Sequence, residues 1–301
     1  MMSVTTMPKT ERAPLSSSLN RQPVSTKTQP PTTMSREERT RWIWRHADSV
    51  CFDVDSTVCE DEAIDELAKY LGCGEEVAQF TRKAMNGCGN MTFRDALTAR
   101  LANYLGCGEE VAQFTRKAMN GCGNMTFRDA LTARLAIMKP TREQFETYAR
   151  THEPKLTVGI KELIKELKRR GIAVYLVSGG FRRIIMPVAR LLGIPREHVF
   201  ANELLFDDDG TFAGFDLSEL TSDSGTPDVG KPAVCQLLKQ RYHHKYMVMV
   251  GDGSTDMEAS PPADAFVGFG GNQVRENVRR EASWFVYGCD ELIQELSASE
   301  P

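Results

Sequence analysis

The sequence has no uninterrupted apolar run near the roughly 18–20 residues that a membrane helix needs, so no such helix is expected. It also lacks a strong charge of either sign: 37 basic residues against 41 acidic ones leave a formal charge of −4. That balance gives no support for binding to nucleic acid or to an anionic membrane. The eight cysteines form no C-x-x-C pair, and Cys51 sits inside an apolar β-type run, where a reduced thiol is a small hydrophobe. A reducing, cytoplasmic compartment is expected, with a structural zinc site as the weaker alternative. His243 and His244 beside Lys245 read as a solvated helix end, and no other histidine completes a metal cluster. Gly268-Phe-Gly-Gly-Asn272 misses the Gly-x-Gly-x-x-Gly spacing of a nucleotide loop and reads as a strand-end turn.

Residues 1–35 are rich in Ser, Thr, Pro and Gln and nearly free of large apolar side chains. Such a segment cannot offset its ordering entropy and is expected to be a disordered tail. Its four basic residues against the single acid Glu11 faintly suggest a transit peptide, but no amphipathic arginine-rich helix accompanies them. Ser35 followed by Glu37 and Glu38 reads as a helix start. From Val158 onward, amphipathic stretches alternate with short apolar runs at Ile172–Val177, Tyr246–Val250, Ala265–Gly268 and Trp284–Tyr287. That alternation predicts an α/β fold with a parallel sheet covered on both faces. Phe206 to Phe212 reads as a hairpin turning at Asp209-Gly210.

Between the first strand and this region lies an all-helical insert, residues 60–152, with an internal repeat. Tyr70 to Ala102 recurs unchanged as Tyr104 to Ala136, at an offset of 34 residues. A tetratricopeptide array is rejected, because its signature residues are missing and arrays need about three or more units. A recent duplication, or an error in the assembled transcript, accounts better for identity at every position.

Three apolar strands end in polar residues. Asp53 and Asp55 follow Val50-Cys51-Phe52, Ser178-Gly179-Gly180 follows Tyr175-Leu176-Val177, and Gly251-Asp252-Gly253-Ser254-Thr255-Asp256 follows Met247–Val250. In open α/β sheets ligands bind beyond the carboxyl ends of the strands, so the three turns should converge. In an extended chain Asp53 and Asp55 would share a face, and two carboxylates so close ask for a cation or for one to hold a proton. Several carboxylates around one point make a hard oxygen site suited to Mg²⁺ rather than zinc. The Ser-Gly-Gly amides near a helix start suit a phosphate group, and Lys231 supplies a point charge. Each motif alone is usually a turn or a cap; their joint order behind apolar strands is what carries weight.

Phe52-Asp-Val-Asp-Ser-Thr-Val58, Val177-Ser-Gly-Gly180, Gly230-Lys231 and Gly251-Asp-Gly-Ser-Thr-Asp256 resemble the four motifs of haloacid dehalogenase-type phosphatases. Glu62-Ala-Ile-Asp-Glu-Leu-Ala68, the Arg-Lys-Ala-Met stretch and Pro261-Pro-Ala-Asp-Ala-Phe266 make roughly Ala47 to Leu296 similar to the phosphoserine phosphatases of that superfamily. The resemblance implies a Rossmann-like core (residues 36–59 and 153–301) with a helical cap (60–152). It implies hydrolysis of phosphoserine to serine and phosphate, the last step of serine biosynthesis. Asp53 would be the nucleophile, Asp55 the acid and then the base, with Mg²⁺ on Asp53, Asp55 and Asp252. Ser178, Gly179, Gly180, Lys231, Thr255 and Asp256 would serve the phosphate, and Glu62 the substrate ammonium. The cap offers two sets, Met119, Phe127 and Arg134 or Met85, Phe93 and Arg100; Arg134 is preferred because its helix keeps its family-like continuation. Thr226-Pro-Asp-Val229 departs from the family pattern before Gly230. A phosphatase for another small ester, or a silent interaction protein with an enlarged cap, are the alternatives. Assembly is left open between a monomer and a homodimer.

Overall fold

The structure is a computed structural model that describes residues 29–85 and 126–298. The tail before residue 29, and Phe93, Arg100 and Met119, lie outside the described residues. The first helix, α1 (Arg36–His46), starts where Ser35 and Glu38 cap each other, Ser35 Oγ accepting from Glu38 N at 3.2 Å and Ser35 N donating to Glu38 Oε2 at 2.7 Å.

Strands β1 (Ser49–Phe52), β2 (Ala173–Phe181) and β3 (Val199–Asn202) precede a two-stranded hairpin of β4 (Leu204–Phe206) and β5 (Phe212–Phe215). Then follow β6 (Met247–Gly251), β7 (Ala265–Phe269) and β8 (Trp284–Val286). The hairpin stands apart; the other six form one parallel sheet in the order β3-β2-β1-β6-β7-β8. Period-two alternation in the central strands explains the double cover. Val174, Leu176, Val248 and Val250 enter one apolar cluster, with Ile160, Leu163, Ile164 and Leu167 of the helix Ile160–Arg169. Tyr175, Val177, Met247 and Met249 enter the opposite one, with Val234, Cys235 and Leu238 of the helix Gly230–Tyr242. Because β1 lies between β2 and β6, the chain leaving it at Phe52 emerges at the middle of the sheet's carboxyl edge.

A separate helical layer sits over that edge. It contains α2 (Ala63–Tyr70), α3 (Gly74–Met85), α4 (Phe127–Met138) and α5 (Arg142–Thr151). Its apolar centre joins Ile64 and Leu67 to Val77, Leu131, Leu135, Phe145 and Tyr148, and rests on Phe181, Ile184 and Leu204 of the core. The repeat is divided within this centre: Val77 comes from the first copy, Leu131 and Leu135 from the second. One helix of each copy thus contributes to the packed layer.

Candidate active site

β1 ends at Phe52, and Asp53 N still donates to Val250 O of β6 at 2.9 Å. The chain then turns: Ser56 adopts φ 55°, a left-handed conformation unusual for a residue with a side chain. Asn272 pins this turn, its amide nitrogen lying 3.2 Å from Ser56 O, 3.2 Å from Cys59 O and 2.6 Å from Thr157 Oγ1. The turn sends the two aspartates to different places. Asp53 meets Lys231 Nζ at 2.7 Å, whereas Asp55 Oδ1 accepts from Ala63 N, the first amide of α2, at 2.8 Å. The shared face of an extended pair is therefore not what forms.

Lys231 is nearly buried and also reaches Asp256 Oδ1 at 2.5 Å. Asp256 comes this close because Gly251 lacks a side chain: a Cβ there would lie 2.2 Å from Asp256 Cγ. Among the described residues, Asp53, Asp252 and Asp256 form the group of acids whose oxygens lie within 4.8 Å of one another. Asp256 thus takes the third place in that group, and the Asp55 carboxylate stands outside it, facing Gly180 and the start of α2. Three buried hard oxygen donors suit a divalent cation of the Mg²⁺ type better than a soft one.

The electrostatics say the same. Burial, followed by the Asp53 charge, pushes the Asp252 and Asp256 carboxyls up, opposed by Arg275 and Lys231 respectively. Burial alone would lower the Lys231 ammonium, but Asp256 and Asp53 reverse this and hold it protonated. Asp55 is held well above the usual carboxylate range by desolvation first, then by the Glu62 and Asp53 charges, against the Ala63 amide. A proton held on Asp55 is what is expected of a general acid placed next to a nucleophile.

On the other side of Asp53 runs the end of β2. Ser178-Gly179-Gly180, expected as a free turn, instead continues the strand to Phe181, with a register shift against β3 after Val177. Gly180 N donates to Ser178 Oγ at 2.8 Å. Phe127 of α4 lies directly on Gly179, where a Cβ would sit 2.4 Å from its Cζ. Thr255 is at the opposite wall, in the short helix Ser254–Met257.

Asp53, Asp55, Gly179, Gly180, Lys231, Asp252, Thr255 and Asp256 line one cavity of about 710 Å³, of a size that holds a small metabolite, whereas Ser178 is fully buried behind that lining. Asp53, Asp55, Lys231 and Asp252 form its floor; Glu62, Phe127 and Arg134 come from the helical layer. Arg134 donates from Nε to Ala130 O at 3.3 Å, and no carboxylate among the described residues makes an ion pair with it. Met85 is the last residue of α3.

Sequence reasoning missed Arg275. Its Nε donates to Asp252 Oδ2 at 2.7 Å and its Nη2 to Glu62 Oε1 at 2.9 Å, while Ser56 Oγ also donates to Glu62 at 3.0 Å. No local pattern around Arg275 announces this, since its partners lie 23 and 213 residues away. Asn202 was missed as well: it donates to Gly179 O at 2.8 Å and so fixes the cradle from behind.

The chain is similar to known proteins. The haloacid dehalogenase-like hydrolase family matches residues 47–264. The phosphoserine phosphatase of Mus musculus is 43% identical over 256 residues, 85% of this chain and 96% of its own length. The phosphoserine phosphatase of Arabidopsis thaliana, described as chloroplastic, is 41% identical over 84% of this chain and 73% of its own. A phosphoserine phosphohydrolase-like protein from Francisella tularensis superposes with a TM-score of 0.58 at 26% identity, over 82% of this chain and 98% of that one. The carboxylates at the carboxyl edge of the parallel sheet, the helical layer above them and these matches lead to one conclusion: the chain belongs to the haloacid dehalogenase-like hydrolases and, within them, to the phosphoserine phosphatase family.

Proposed function

We propose that the chain hydrolyses O-phosphoserine to serine and phosphate with Mg²⁺, through a phosphate ester of Asp53. The observation that supports this substrate is the polarity of the cavity. Its lining carries Asp53, Lys231 and Gly179 together with Arg134, which has no ion-paired carboxylate among the described residues, and the acid Glu62, which Arg275 also contacts. Phosphate beside Asp53 and Lys231 leaves the carboxylate of an amino acid to Arg134, a planar donor suited to it, and its ammonium to Glu62.

Asp53 attacks phosphorus, and Asp55, held protonated by its surroundings, gives its proton to the departing serine oxygen. Asp55, now ionised, then takes a proton from the water that releases phosphate from Asp53. Lys231 and the Gly179 region hold the transferring oxygens in place, the main contribution a protein makes to phosphoryl transfer. Asp53, Asp252 and Asp256 would hold Mg²⁺, which when bound offsets the charge of the phosphate and of the carboxylates. A cytoplasmic setting is supported by the free, buried Cys51, Cys59, Cys235 and Cys289.

Phosphate release from phosphoserine with Mg²⁺, set beside p-nitrophenyl phosphate and phosphoethanolamine, tests the reading. Preference for phosphoserine is expected, and Arg134→Ala should abolish the preference while sparing p-nitrophenyl phosphate. Equal turnover of all three esters by the parent protein would sink the amino-acid assignment.

The same reading makes one period of the repeat dispensable, because the helices that the described residues bring into the packed layer, one from each copy, add up to a single unit. Deleting residues 86–119 joins Met85 to Asn120 and leaves a single intact unit. Unchanged kcat/KM and an unchanged melting temperature are expected; loss of either would show that the second period has a task of its own.

A further inference from the structure

Resting on the proposed reaction for its kinetic arm, the geometry points to Arg128 as a positioning residue, the latch that seats α4 on the core so that Phe127 covers the phosphate cradle. Arg128 is the second residue of α4 and belongs to the second copy of the repeat. Its side chain crosses to the loop after the short helix Leu220–Ser222. Nε lies 3.2 Å from Asp223 Oδ2, and Nη2 donates to Ser222 Oγ at 3.1 Å. Its backbone N donates to Asp223 Oδ1 at 3.3 Å, so the same carboxylate also receives the amino end of α4. A planar guanidinium can grip a carboxylate and a hydroxyl at once; an ammonium could not reproduce that fork.

The loop it grips leads back to the chemistry by two routes. Thr221 donates to Asn202 Oδ1 at 2.9 Å, and Asn202 donates to Gly179 O at 2.8 Å, under the Phe127 ring. Asp223 O also packs against Gly230, the neighbour of Lys231, where a Cβ would approach to 2.8 Å. Seating α4 on this loop therefore sets Phe127, Gly179 and Lys231 relative to one another. The Arg128–Asp223 pair is partly exposed, hence individually weak, as a contact that must open for substrate entry and product release has to be.

Arg128→Ala, Asp223→Ala and the double variant are compared with Arg94→Ala, which changes the equivalent residue of the first copy. For phosphoserine with Mg²⁺, each of the first two variants should raise KM by roughly two- to fivefold, as loss of a partly exposed ion pair allows. The double variant should be no worse than the singles, and Arg94→Ala should match the parent. Without substrate, amide exchange at residues 127–131 should speed up in Arg128→Ala while the melting temperature stays unchanged. Additive losses, unaltered exchange, or an equal loss in Arg94→Ala would overturn the latch. If the parent protein fails to hydrolyse phosphoserine, the functional reading fails, and the exchange measurement alone decides the latch.

Discussion

Replacing Asp53 with asparagine is expected to cut phosphoserine hydrolysis by at least about 10⁴-fold, as loss of a covalent nucleophile does elsewhere. Asparagine keeps the shape of the side chain and can still accept from Lys231, so the floor of the cavity should hold its geometry. What it cannot do is form the ester with phosphate. The change also removes one of several crowded charges. Asp53 is among the causes that push Asp55, Glu62, Asp252 and Asp256 up. A carboxyl whose folded-state pKa lies above its unfolded value stabilises the fold below the unfolded pKa, and that stability is lost as pH rises through the folded one. At pH 8 the ion-free parent protein therefore carries the cost of these shifts, and Asp53→Asn should carry less of it. The variant should be inactive yet melt no lower than the parent. Protein trapped with phosphate after an acid quench should be found for the parent and be absent from Asp53→Asn. An inactive variant that also melts well below the parent would point to a structural role for Asp53 and refute the nucleophile assignment.

Much of this site was legible because its parts sit behind strands that the sequence announces. Val50-Cys51-Phe52, Tyr175-Leu176-Val177 and Met247–Val250 are apolar on both faces, and a parallel sheet brings their ends together whatever the distance along the chain. What escaped was set by single backbone angles and by partners remote in sequence. Alternation placed Asp53 and Asp55 on one face, but the left-handed Ser56 turns Asp55 toward α2 and leaves Asp256 beside Asp53. The Ser178 hydroxyl accepts from the Gly180 amide, a choice that periodicity does not encode. Arg275, Asn202 and Arg128 act across gaps of 23 to 213 residues and carry no signal that names their partners. The repeat is the extreme case. Two identical copies hold no information about which is used, and only packing shows that Val77 comes from one and Leu131 from the other.

Lys231→Met tests whether the floor of the cavity is held together by charge. The lysine side chain is 8% exposed, and its ammonium lies 2.7 Å from Asp53 and 2.5 Å from Asp256. Methionine fills a similar volume along the stem, so the change mostly deletes the charge. Removing one partner of a buried ion pair costs about 3–5 kcal/mol, since the partner left behind has neither water nor counter-charge. In a domain of this size that corresponds to a fall of roughly 6–20 °C in melting temperature. Activity should fall by about 10²–10³-fold, the usual consequence of losing one group that neutralises charge in the transition state. The pH dependence separates charge from packing. Burial and the Asp53 charge already push Asp256 up to about 8 with the ammonium in place. Without it, Asp256 shifts further up, and a raised carboxyl loses its stabilising contribution as pH rises through the folded-state pKa. The stability deficit of Lys231→Met should therefore be larger at pH 8 than at pH 5, where Asp256 takes up a proton and its charge is no longer buried bare. Millimolar Mg²⁺ at pH 8 should narrow the deficit as well, by supplying a cation to the same oxygens. A deficit of equal size at both pH values, indifferent to Mg²⁺, would mean that the lysine stem contributes through packing alone and that the carboxylates do not need its charge.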